Sequence, residues 1–258
     1  MTRTIFIGDV HGCLTEFLEL IWLLDLQPED QVVCLGDMMD KGPCPAPCLS
    51  FVYAAAFHNP NFRSIKGNHE ERHVRWRRHW ERAQTDSKYV IPMTRPMTPQ
   101  DQAANLELDL GVINWAANLP ITLEPVSGWL AVHGGLRPNL PLRNQPEDEI
   151  IRLRLVDKIT GKHIPTDYEK GTPPPEGAVH WTELYDGSYN VVYGHEAHSL
   201  SKPRVDHRPQ GVTCYGIDTG VVHGGHLTAL VLEGSDVNFV QVKAKAVYME
   251  PPHGPIPD

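Results

Sequence analysis

Thr4-Ile5-Phe6-Ile7-Gly8-Asp9-Val10-His11-Gly12 opens with four strand-forming residues and runs directly into an acid and an imidazole set among glycines. The apolar run reads as a buried strand, and glycine lets the backbone turn tightly where it ends. Residues 31–35 repeat the plan and end in Gly36-Asp37-Met38-Met39-Asp40-Lys41-Gly42, and residues 62–65 end in Gly67-Asn68-His69-Glu70. Between the first two strands, Leu14, Phe17, Leu18, Ile21 and Leu24 fall on one helical stripe that stops near Pro28. Strand, helix, strand is the α/β pattern, and open α/β sheets collect ligand groups beyond the C-terminal ends of their strands.

Working outward, residues 129–132 lead into His133-Gly134-Gly135, and residues 190–193 into Gly194-His195-Glu196. Residues 215–218, 227–232 and 237–242 return to β character. The expectation is one domain over residues 1–249, with insertions near 83–119 and 143–176 forming a small cap or side lobe. Residues 250–258, with four prolines in nine positions, read as a flexible tail.

Hydrophobic residues make 41% and charged residues 21% of the 258-residue chain, which excludes wholesale disorder and fibrous repeats. The net charge of -9 argues against broad binding to nucleic acid or anionic membranes, which needs a basic surface. No apolar run is long enough to span a bilayer and no signal peptide precedes Thr4, so a cytoplasmic protein is expected. Five cysteines, an odd count, point to reduced thiols; Cys44 and Cys48 have metal-like spacing without a second pair to complete a site.

Two divalent ions about 3.5 to 4 Å apart need a bridging carboxylate and several further oxygen and nitrogen donors. The five glycine-flanked blocks supply that inventory. Asp9 and His11 could reach a first ion, Asp37 could bridge, and Asn68, His133 and His195 could hold the second. Mixed imidazole and oxygen donors suit manganese first, then iron, zinc or cobalt, all better than calcium. Singly each block is weak, since a lone histidine is more often a core or surface residue; their joint order carries the argument.

Together these blocks resemble the calcineurin-like metallophosphoesterases, and within them the phosphoprotein phosphatase superfamily with its GDxHG, GDxxDRG, GNHE, HGG and GH signatures. The resemblance spans residues 5–232. Ile151-Arg152-Leu153-Arg154, Ile217-Asp218-Thr219-Gly220, residues 224–230 and residues 114–120 are similar to the diadenosine tetraphosphatase (ApaH-like) branch. The resemblance implies a two-sheet β-sandwich flanked by helices, the same six metal ligands, and His69 as general acid oriented by Asp40. It also implies a metal-bridging hydroxide attacking phosphorus in line, without a phosphoenzyme. Lys41 and Arg154 would neutralise phosphate oxygens, beside Asn68. Lys41 stands where protein phosphatases carry arginine; a mobile point charge replaces a planar fork, which favours phosphoanhydrides such as dinucleoside polyphosphates or polyphosphate over phosphoproteins.

Other readings compete. His69-Glu70-Glu71-Arg72-His73 fits the H-E-x-x-H of zinc proteases, although Gly67-Asn68 suggests a strand-end loop there. A catalytically inactive binding module is a third class, against which the intact ligand set argues. Arg72, Arg75, Arg77, Arg78 and Arg82, interleaved with Trp76 and Trp80, read as a solvated basic face over a tryptophan-anchored core, or as a guide for a phosphate chain. His198, His223 and His226 read as packing or surface residues.

Overall fold

A computed structural model describes residues 2–92, 97–165, 174–251 and 254–258. Strands are numbered in chain order. The first sheet holds β1 (Thr4–Ile7), β2 (Gln31–Cys34), β3 (Phe62–Ser64), β12 (Asp218–Thr219), β13 (His226–Glu233) and β14 (Asp236–Lys243). Its order is β12-β13-β1-β2-β3, with β14 also paired to β13. The second sheet, in order β10-β11-β9-β5-β4, is made of β4 (Thr122–Val126), β5 (Trp129–Val132), β9 (Asn190–Tyr193), β10 (Arg204–His207) and β11 (Thr213–Gly216).

Alternation along the strands builds the layers, because successive side chains point to opposite faces. In β1, Ile5 and Ile7 face one core while Phe6 faces another. Phe6, Val33 and Leu230 of the first sheet meet Ala131 and Val192 of the second, so this shared core is the sandwich interior. On the outer face of the first sheet lie α1 (Leu14–Leu24) and α2 (Pro45–His58), whose Phe17, Leu20, Leu49 and Val52 are buried against Ile5 and Ile7. The expected two-sheet sandwich flanked by helices is the fold observed.

Several expectations change in detail. Leu18 is 44% exposed and Leu20 takes its place in the core, because α1 packs a slightly rotated face. The segment read as one strand over 215–218 divides: β11 ends at Gly216 in the second sheet and β12 begins at Asp218 in the first. Ile217 crosses between them inside the shared core.

α3 (Asn68–Thr85) follows β3 and runs into the first insertion, which contains α4 (Pro99–Glu107) and α5 (Leu110–Ala117). Ala104, Leu108, Val112 and Ala116 join the main core rather than standing off as a cap. The second insertion is mostly not helical. Beyond the one-turn α6 (Glu147–Ile150) it makes a three-stranded antiparallel sheet of β6 (Leu155–Asp157), β7 (His163–Ile164) and β8 (Ala178–His180), the last leading into α7 (Trp181–Leu184). Of its proline run, Thr172 and Pro173 lie outside the described residues. The tail, expected to be free, touches the body: Leu200 N–H donates to Pro257 O at 2.7 Å. Among the described residues no helix is long and apolar enough to cross a membrane, and the five cysteines are free thiols.

Candidate metal centre

Parallel pairing brings the site together. β1, β2 and β3 run parallel in one sheet, and β5, β9 and β11 run parallel in the other. The loops that follow β1, β2, β3, β5 and β9 therefore meet at one edge of the sandwich. Asp37 Oδ2 is the hub: it lies 3.6 Å from His11 Nε2, 3.3 Å from His133 Nε2 and 3.7 Å from His69 Nε2. Asn68 Oδ1 is 3.0 Å from His133 Nε2, and Asp9 Oδ2 is 3.9 Å from His11 Nε2. His195 joins Asp37 and His133 in one group whose ligand atoms lie within 4.8 Å of one another. Asp9 also accepts the His195 backbone N–H at 3.1 Å.

Two imidazoles have their tautomers fixed from behind. His11 Nδ1 donates to Met39 O at 2.9 Å and His133 Nδ1 to Leu35 O at 2.8 Å, so in each ring Nε2 is the atom turned to the cluster. His11 Nε2 uses its lone pair toward a cation, the Lys41 ammonium, at 2.8 Å. Adjacent donors around an ion with bonds of about 2.1 Å stand roughly 3.0 to 3.4 Å apart, which the closest of these separations match. The donor set fits divalent ions.

Charge crowding supports the same conclusion. Burial and the nearby Asp218 carboxylate push Asp9 well above the usual carboxylate range. Burial opposes ionisation of Asp37 too, but His133 and His69 hold it well below that range. Burial likewise resists a charge on His133, yet Asp37 and Asp9 raise it to about 9. A bound cation would relieve the repulsion between these carboxylates.

The backbone is strained at the same place. His11, Asp37, Asp40, Lys41 and His195 all have positive φ, at 46°, 54°, 69°, 66° and 70°. Each such non-glycine conformation costs on the order of 1–3 kcal/mol and persists because the surroundings enforce it. Two glycines are needed for close approach. A Cβ at Gly194 would stand 2.0 Å from Asp9 Oδ1, and one at Gly67 would stand 2.2 Å from Asp37 Oδ1.

His69 faces the cluster through Nε2 and turns Nδ1 to Asp40 Oδ2 at 2.5 Å. Asp40 has further partners that sequence reasoning missed. Arg72 Nη2 donates to Oδ2 at 2.5 Å, and His73 Nε2 donates to Oδ1 at 2.6 Å. Asn105 Nδ2 donates to His73 Nδ1 at 3.0 Å, which fixes the proton of that ring on Nε2. The signal was present in the four-residue spacing of His69 and His73, which puts both on one face of a helix.

That spacing also corrects the H-E-x-x-H reading. The motif does lie on a helix, α3, but its two histidines converge on Asp40 and its glutamate is already used. Glu70 accepts the backbone N–H groups of Asp37 at 2.8 Å, Met38 at 2.8 Å and Gly67 at 3.0 Å. The arginine run is likewise largely internal. Arg72 also pairs with Asp101, Arg75 with Glu71, and the buried Arg77 donates to Asn105 O and Leu108 O. Trp76 and Trp80 are half-buried and stack on each other.

A cavity of about 180 Å³ opens beside the cluster, lined by Asp9, His11, Lys41, Arg154, His195 and, from the tail, Ile256. Arg154 Nη2 donates to His195 O at 3.1 Å, while its Nε is buried without a hydrogen-bond partner. Of the residues singled out from the sequence, Asp9, His11, Lys41, Arg154 and His195 line this cavity, while Asp37, Asn68, His69 and His133 stand in the cluster beside it.

Comparison with known proteins agrees with this geometry. The profile of the calcineurin-like phosphoesterase family matches residues 2–199. The chain belongs to the calcineurin-like phosphoesterases. It is therefore a metallophosphoesterase, a hydrolase of phosphoric ester or anhydride bonds that works with divalent metal. The chain is 29% identical to an asymmetrical bis(5'-nucleosyl)-tetraphosphatase of Geobacillus sp., over 86% of this chain and 87% of that one. It is 23% identical to a symmetrical bis(5'-nucleosyl)-tetraphosphatase of Glaesserella parasuis, over 91% and 96%. A crystal structure described as a candidate diadenosine tetraphosphatase superposes with a TM-score of 0.70 at 22% identity, over 93% of each chain. Among calcineurin-like phosphoesterases, the ApaH-like resemblance is thus the one these relatives share.

Proposed function

We propose that this metallophosphoesterase hydrolyses phosphoanhydride bonds of dinucleoside polyphosphates or polyphosphate at a centre for two divalent ions, manganese first. Asp9 and His11 would hold one ion, Asn68, His133 and His195 the other, and Asp37 both. The observation that carries this is the hub position of Asp37 Oδ2, 3.6 Å from His11 Nε2 and 3.3 Å from His133 Nε2. A carboxylate facing two imidazoles with fixed tautomers can serve two cations at once.

The chemistry that such a pair of ions supplies when bound is water activated near neutral pH and neutralisation of phosphoryl charge. His69 acts on the leaving group. With Nδ1 held by Asp40, its imidazolium gives the Nε2 proton to the departing oxygen, and the carboxylate stabilises the cation beforehand. Lys41 and Arg154 line the cavity, where their charges meet non-bridging phosphate oxygens, and the Asn68 amide nitrogen can donate beside them.

The substrate class is supported by the names of the relatives and by Lys41 standing where protein phosphatases carry arginine. The arginine run adds less than the sequence suggested, since of its five members Arg78 and Arg82 are the exposed ones. Steady-state kinetics on diadenosine tetraphosphate, polyphosphate and a phosphoserine peptide, with the same metal and salt, test the proposal. Higher kcat/KM for one of the anhydrides is expected. A clear preference for the peptide would overturn the substrate assignment.

A further inference from the structure

Three side chains outside the dinuclear cluster converge without satisfying one another. His180 ends β8, and Glu196 and His198 follow β9 in the loop that carries His195. His180 Nε2 lies 3.6 Å and His198 Nε2 lies 3.8 Å from the same atom, Glu196 Oε2. The two rings stand nearly perpendicular, with centroids 5.0 Å apart. Glu196 Oε2 and His198 Nε2 are buried atoms with no hydrogen-bond partner, and the His180 side chain is only 6% exposed.

Separations of 3.6 and 3.8 Å are too long for hydrogen bonds, which run about 2.7–3.2 Å for N–H to O. They are close to the edge of a coordination tetrahedron, roughly 3.4 Å for bonds of about 2.1 Å. Buried polar atoms that neither bond each other nor reach another partner are costly unless something sits between them. We propose that His180, Glu196 and His198 form a third cation site, taking a borderline transition-metal ion such as zinc or cobalt through two imidazole nitrogens and one carboxylate oxygen.

The surroundings accommodate this. His180 Nδ1 accepts the Thr182 backbone N–H at 3.3 Å and lies 2.6 Å from Thr182 Oγ1, so to present Nε2 to an ion the ring must shift its proton to Nδ1, exchanging that long contact for donation to the hydroxyl. On His198 the proton must move to Nδ1, which gives up a 3.4 Å contact with Arg204 Nη1. That contact is the longest the guanidinium makes here; Arg204 keeps Asp206 at 2.7 Å and Thr182 at 3.3 Å. Two imidazoles and a carboxylate leave a fourth position for water, the donor set of many zinc sites. The ion would tie the end of β8 to the loop after β9, holding Glu196 and with it the neighbouring His195.

The test is a difference in metal content, so it holds whatever number of ions the main centre takes. Metal-stripped full-length protein is reconstituted with excess zinc, desalted and assayed for ions per chain, then repeated with cobalt, whose visible absorption reports its ligands. His198→Ala and His180→Gln should each carry one ion fewer than the wild type and lose the same cobalt band. Both should keep hydrolysing an aryl phosphate at saturating manganese. Equal ion counts in the wild type and both variants would overturn the site, as would loss of every ion from the variants.

Discussion

His73 Nε2 donates to Asp40 Oδ1 at 2.6 Å while His69 Nδ1 meets the other oxygen of the same carboxylate at 2.5 Å. Asp40 is thus held on both oxygens, and burial is outweighed by these two histidines, which keep it well below the usual carboxylate range. The carboxylate that orients the proposed acid is itself oriented, through His73, by the fully buried Asn105.

His73→Gln should therefore lower turnover about tenfold on a poor leaving group, since freeing one side of a buried carboxylate costs roughly 1–3 kcal/mol of positioning. His69→Asn should lower it about a hundredfold, the scale of general-acid loss. With an activated aryl phosphate both losses should shrink together. Equal losses on both leaving groups in His69→Asn would remove the acid role; shrinkage in His69→Asn alone would detach His73 from it.

Asp37→Asn should weaken both ions at once, because the hub carboxylate is the one donor proposed to serve both. Elemental analysis after dialysis should give loss of more than one ion per chain. Loss of a single ion would reduce Asp37 to an ordinary ligand.

Gly194→Ala tests close approach rather than charge. The added Cβ would sit 2.0 Å from Asp9 Oδ1, so Asp9 must move and its ion should bind at least about tenfold more weakly. Circular dichroism should stay close to the wild type. Unchanged metal affinity would mean the Asp9 loop yields freely.

Burial, with the Arg204 charge adding to it, pushes His180 down to about 2. In metal-free protein the unfolded chain then takes a proton from about pH 6.5 downward that the folded chain refuses until about pH 2. Stability therefore falls as pH drops through that window, by roughly 2 kcal/mol at pH 5 from this residue. Urea midpoints measured at pH 7 and pH 5 should fall further for the wild type than for His180→Gln. A difference of the same size in both would assign the acid sensitivity elsewhere.

The strands were legible because their chemistry is local: Thr4–Ile7 and Trp129–Val132 are short apolar runs, the first followed by Gly8 and the second by His133-Gly134, as buried parallel strands read. The proposed ligands were legible for a related reason, since each follows such a strand and the order of the blocks was as informative as their content. What the chain could not announce was pairing at a distance. Whether 215–218 is one strand or two depends on which sheet each half joins. Whether Arg77 faces water or two carbonyls depends on where α4 ends. His73 looked like half of a zinc motif until the fold put Asp40, 33 residues earlier, between it and His69. His198 looked like packing until His180 arrived from another strand. Hydrophobic periodicity and turn chemistry act over a few residues and are written in the sequence, whereas the partner of a buried polar group is chosen by tertiary packing, which brings together atoms the chain keeps far apart.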